Sequence, residues 1–132
     1  MMAIEIVHPS QIRAVWPFVR KGLESLPADE WIPEDVYHCV KSGDSALYLC
    51  KQDDAPVAFF ILRRRVAEFS GDVWLHVWIA YSEGDADVYD ESVAVIRQVA
   101  AQAGAARITL ESPRKGWAKR YPVISTYCEI PL

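Results

Sequence analysis

His76 sits between Trp74 and Trp78 in the run DVWLHVWIAY, and the alternation of a strand puts all three side chains on one face. An imidazole in such a place can poise near neutral pH as a general base. Its plain alternative is a core histidine packed against two indoles. Glu111 closes the run RITLE and can accept a proton, or it can pair with Arg114 or Lys115 as an edge carboxylate. Two basic groups stand out: Arg63-Arg64-Arg65, and Arg114, Lys115, Lys119 and Arg120 around Trp117. Cations interleaved with an aromatic ring can grip phosphate or stack on a base, while a charged triplet at a strand end also discourages edge pairing. No Ser-His-Asp or Cys-His arrangement, P-loop or dinucleotide fingerprint is present. Cys39, Cys50 and Cys128 are odd in number and widely spaced, which fits reduced, buried thiols and no metal pattern.

The rest of the chain must position those residues within one domain, because 132 residues make a single unit over 1–132. A hydrophobic fraction of 52% with 24% charged residues excludes intrinsic disorder. Fourteen Lys and Arg against 18 Asp and Glu leave a net charge of −4, so no global field draws the domain to nucleic acid. No apolar run approaches the roughly 18 to 20 residues of a membrane span. The start MMAIEIVHPS lacks the basic and apolar regions of a secretory signal, so a cytoplasmic protein is expected. Five Trp and six Tyr are many for so small a core, and Trp is enriched at interface centres. They point to a protein partner or a homo-oligomer.

Periodicity divides the chain into alternating elements. A short opening strand over 3–7 ends at His8-Pro9-Ser10. A helix follows over 11–26, in which Ile12, Val15, Trp16, Val19 and Leu23 share a face. Pro17 lacks an amide donor and is expected to kink or divide that helix. Pro33-Glu34-Asp35 opens a second helix that Gly43 ends. Strands over 46–51 and 56–65 flank the turn QDDA as a hairpin. The strand over 72–81 is apolar on both faces, hence central and covered on both sides. A helix over 88–103 leads through Gly104 into a strand over 107–111. A short helix over 115–120 and a last strand over 123–130 complete the order β-α-α-β-β-β-α-β-α-β. That order predicts an α/β fold: an antiparallel meander running into a right-handed β-α-β crossover, with helices on both faces of a mixed sheet.

This order, over nearly the whole chain, resembles the GNAT N-acetyltransferases. The resemblance implies that the loop after the central strand, Tyr81-Ser82-Glu83-Gly84-Asp85-Ala86, holds the pyrophosphate of acetyl-CoA at a helix N-terminus. Gly84 and Ala86 then stand where the family has small residues, and Tyr81 where it has Gln or Arg. It also implies a V-shaped opening between the fourth and fifth strands for the pantetheine arm. Glu111 or His76 would take the proton of the acceptor amine, a small molecule or a protein, and Tyr121 or Tyr127 would protonate the leaving thiolate. The Gly-Phe pair that follows the family's Tyr is missing after Tyr121. The segments WLHVWIAYSEGD and ESPRKGWAKR also resemble small GNAT-like proteins of tailed bacteriophages. That second likeness implies a non-catalytic, virion-associated protein acting in assembly or protein–protein interaction. The carboxylates of Glu83, Asp85 and Asp87 around a site for a polyanion fit it, as they also fit ordinary helix capping.

Overall fold

Strands that bury side chains on both faces need two cores, and the chain builds one on each side of its sheet. A computed structural model describes residues 1–28, 30–84, 86–111, 120–124 and 129–132. The sheet contains β1 (Met2–Val7), β2 (Ser45–Gln52), β3 (Ala55–Val66), β4 (Val73–Ser82) and β5 (Arg107–Leu110), in that spatial order. The first four strands pair antiparallel, and β4 pairs β5 in parallel. The mixed sheet and its crossover are those expected from the sequence. Asp53 and Asp54 both take positive φ, 50° and 66°, as a two-residue hairpin turn requires.

Helices α1 (Ile12–Glu24) and α2 (Pro33–Ser42) lie on one face of the sheet. Ile12, Val19 and Leu23 of α1 and Val36 and Val40 of α2 join Leu47, Leu49, Phe59, Ile61 and Ile79 there in one core. Helix α3 (Tyr89–Ala103) covers the opposite face, where Ile96 and Ala100 meet Tyr48, Phe60, Leu62 and Leu75. Alternation along β3 therefore assigns Phe59 and Ile61 to one core and Phe60 and Leu62 to the other.

Pro17 does not divide α1, which runs unbroken through it after a 3-10 turn at Pro9–Gln11. Pro17 removes only the bond to the carbonyl of Arg13, an exposed residue where water can take its place. α1 crosses β3 and β4 closely at Gly22. A Cβ there would stand 2.6 Å from Phe59 Cε1 and 2.7 Å from Tyr81 Cδ2. The start of α2 is closed by Asp35, whose carboxylate accepts the Ile32 N–H at 3.0 Å, half of a capping box. Of the thiols, Cys50 is fully buried and Cys39 half-buried. Burial pushes the Cys50 thiol up, away from thiolate chemistry.

Candidate functional site

The site begins where β4 and β5 part. Their pairing runs from Trp74 with Arg107 to Val77 with Leu110 and stops. β4 continues to Ser82, and among the described residues nothing pairs with that edge beyond Val77. The strand bulges at the same point. Ile61 of β3 faces Ile79, yet Leu62 faces Val77, so Trp78 is an extra residue in β4. A bulge sharpens the local twist and turns a strand away from its neighbour. Among the described residues this leaves a gap in pairing along one side of β4 from Trp78 to Ser82, where its main-chain groups have no strand partner.

At the mouth of the gap the chain turns tightly into α3. Glu83 N–H donates to Val57 O at 2.9 Å, and Ala86 N–H to Glu83 O at 3.0 Å. Gly84 holds φ +47° in this turn, and no atom lies within 4 Å of the place a Cβ would take. The Ser82 hydroxyl donates to Ala86 O at 3.1 Å. An open depression lined by Gln52, Val57, Glu83, Gly84 and Ala86 lies alongside. Val88 occupies the cap position of α3 and offers no side-chain hydrogen bond. The positive end of the α3 dipole lies at this turn, a place that favours an anion. Side-chain charge there is mixed. Asp90 and Glu91 lie in the first turn and Glu83 and Asp87 precede it, while the Arg120 guanidinium lies 4.1 Å from the centre of the Tyr89 ring. Arg120 is the member of the second basic group that the structure brings to this helix start.

Tyr81 directs its ring away from that turn. It tilts against Phe59 at 5.4 Å and meets Phe18 edge-on at 6.2 Å, under α1. Any contact of Tyr81 with a phosphate at the loop would come from its main chain. Tyr121 is half-buried and directly follows Arg120, and Glu111 is exposed just past the end of β5. Tyr127, Cys128, Asp85, Trp117, Arg114, Lys115 and Lys119, together with most of the last expected helix and the middle of the last expected strand, lie outside the described residues.

His76 is 3% exposed and shares a hydrogen bond of 2.8 Å between its Nδ1 and the Thr109 hydroxyl. Burial, and then the Arg65 and Arg63 charges, push its pKa down to about 4. The imidazole is thus neutral through the physiological range and is a far weaker base than the near-neutral one expected from the sequence. Thr109 carried no sequence signal, since only the parallel register of β4 and β5 brings it opposite His76. Two stacked pairs flank the histidine on the same face: Arg63 lies 4.4 Å over Trp78, and Arg107 lies 4.6 Å over Trp74. Trp31, from the connection between α1 and α2, meets Trp78 edge-on at 6.5 Å. Much of the tryptophan surplus is thereby spent around the floor of the gap.

No family model matches this chain, and no curated protein does. Solved structures do. A ribosomal-protein-alanine N-acetyltransferase from Brucella melitensis superposes with a TM-score of 0.71 at 14% identity, covering 100% of this chain and 96% of that one. A predicted acetyltransferase from Clostridium acetobutylicum, solved with acetyl-CoA, gives 0.71 at 12% identity, covering 100% and 96%. A GNAT family acetyltransferase from Staphylococcus aureus gives 0.67 at 11%, covering 99% and 97%. At such identities the likeness is one of architecture. It extends along essentially the whole of each chain. The mixed five-stranded sheet with its helices is thus the fold of the GNAT acetyltransferases, which this chain adopts.

Proposed function

We propose that the protein transfers an acetyl group from acetyl-CoA to an amine. The observation that supports this reading is the end of the β4–β5 pairing at Val77, with the turn at Gly84 and the positive end of the α3 dipole following at the end of β4. An extended arm with amide groups can complete the free edge of β4 as a missing strand would. The positive end of the α3 dipole and the Arg120 guanidinium can take a pyrophosphate. Acetyl-CoA would supply the thioester, and the chain's part is to hold the arm, align the amine and exclude water. Backbone and shape at the turn fit that ligand. The carboxylates of Glu83, Asp87, Asp90 and Glu91 oppose it, and binding should therefore tighten as salt screens them.

For the proton of the attacking amine, Glu111 is exposed just past the end of β5, and we assign it that role ahead of His76. His76 is better suited to orient a group at the floor of the gap through its fixed bond to Thr109. Tyr121 is assigned to protonate the leaving thiolate, being adjacent in the chain to the arginine at the start of α3. Gly84 and Ala86 form the phosphate turn, with Tyr81 contributing through its backbone.

The acidic start of α3 favours a second reading, in which the fold is kept as a non-catalytic protein of assembly or protein–protein interaction, phage-encoded and virion-associated. Titration of the full chain with acetyl-CoA, followed by thermal unfolding at low and moderate salt, separates the two. At about 100 times Kd the ligand should add roughly 2.7 kcal/mol of stability. An unchanged transition at millimolar acetyl-CoA in both salts would remove the transferase and leave the interaction protein.

A further inference from the structure

A polar row crosses the sheet beside the floor of the gap. Ser45 of β2 stands opposite Arg63 of β3, Arg63 opposite His76 of β4, and His76 opposite Thr109 of β5. All four lie on the α1–α2 face, since Leu47, Ile61 and Ile79, which alternate in step with them, belong to that core. Ser45 and His76 are the buried polar residues among those described, 6% and 3% exposed. The Ser45 hydroxyl has no hydrogen-bond partner among the described residues. A buried hydroxyl left so is costly, and it sits one strand from a guanidinium.

That guanidinium is held in place. Arg63 lies over the Trp78 ring, and in the next row out Arg107 lies over Trp74 with Arg65 on the neighbouring strand. Among the described residues none of the three is in an ion pair with a carboxylate; the cation pairs of the structure involve Arg20, Lys51 and the N-terminus. An arginine stacked on an indole keeps the edge of its planar fork free, and that edge matches the two oxygens of a carboxylate or phosphate. Along a strand, Arg63 and Arg65 are about 7 Å apart, and Arg107 lies two strands, about 10 Å, from Arg65. Three cations in so small an area, with no carboxylate paired to them among the described residues, lack one thing, an anion.

We infer that the arginines of this face form an oxyanion site, in which Arg63 holds a carboxylate or phosphate group of the acceptor while Arg65 and Arg107 supply the field that draws it in. The role as acceptor site rests on the acetyl-transfer reading above, because the unpaired edge of β4 begins at Trp78 and an arm laid along it delivers its reactive end there. The acceptor class is then an amine bearing a nearby anionic group, and polyamines are excluded by like charge.

Tryptophan fluorescence is the natural readout, since Trp78 and Trp74 carry two of the arginines. The full chain would be titrated with inorganic phosphate and, separately, with glutarate, against sodium chloride of equal ionic strength. A saturable change with either anion and none with chloride is expected. Arg63→Gln should weaken it tenfold or more, with Arg63→Lys in between because the charge stays and the fork is lost. The stronger of the two anions identifies a phosphate or a carboxylate acceptor. No saturable response to either, or equal affinities in the native chain, Arg63→Gln and Arg107→Gln, would overturn the site. Acetyl-CoA binding without anion binding removes this inference alone. Anion binding without acetyl-CoA binding removes the transferase and leaves the oxyanion site standing.

Discussion

Replacing Phe59 by alanine is expected to lower the stability of the fold by about 3–5 kcal/mol, the cost of emptying a large buried aromatic site. Phe59 is 1% exposed and lies where α1 meets β3 and β4, with Phe18 edge-on at 6.3 Å and Tyr81 at 5.4 Å. The crossing leaves little room to relax, because it depends on the missing side chain of Gly22. Gly22→Ala should accordingly destabilise by about 1–3 kcal/mol through overpacking, although alanine favours a helix over glycine by about 1 kcal/mol. The two effects are coupled. With Phe59 truncated, the added methyl group gains space, so the double variant should be more stable than the sum of single losses predicts, by at least about 0.5 kcal/mol. Urea unfolding of the four chains, compared at constant m, measures this directly. Additive losses would mean that α1 does not approach the sheet at Gly22 as closely as described.

The second large effect is a dependence on pH. His76 titrates near 4 in the folded chain, below its ordinary 6.5, so below pH 6.5 the unfolded chain takes up a proton that the folded one refuses. The stability due to this group is whole above pH 6.5 and is lost as pH falls toward 4, by as much as 1.36 kcal/mol per unit. About 3 kcal/mol is at stake over that window. Carboxylates titrate there too, so the informative quantity is the difference between the native chain and His76→Gln, each unfolded in urea from pH 7 down to pH 4.5. The native chain should lose about 2 kcal/mol or more relative to the variant across that range. Parallel profiles would show that the imidazole is not kept neutral by burial and by Arg65 and Arg63.

Much of this architecture was legible from one-dimensional pattern. The two-faced apolar run of β4 marks a strand with a core on either side, the QDDA turn marks the β2–β3 hairpin, and the helical run before Gly104 forces a crossover to a parallel β5. The site was legible at the turn, where Gly84 and the acids around it stand next to each other in the chain. What escaped is the part made by register. Nothing in WLHVWIAY singles out Trp78 as the extra residue of a bulge, because no Gly or Pro marks it. Ser45, Arg63, His76 and Thr109 come from four strands and meet only once those strands are aligned. Arg63-Arg64-Arg65 looks from sequence like one charged strand end, yet alternation sends Arg64 to the opposite face from its neighbours. The lowered pKa of His76 is hidden from the sequence for a related reason. Its depth and the two guanidinium charges beside it are properties of the assembled sheet.

The connectivity of the sheet also bears on how the chain assembles. β2, β3 and β4 follow one another through short loops and can pair as soon as those loops close, whereas β5 finds β4 only after α3 has formed and returned across the sheet. Parallel pairing over four residues, bridged by a helix, is the non-local and slow kind of contact. The β4–β5 pairing beside the candidate site thus comes into being last, on a framework already built. Substitutions in β5 should on that account hasten unfolding while leaving the folding rate nearly unchanged, which leaves evolution free to vary the floor of the site without obstructing the path by which the domain folds.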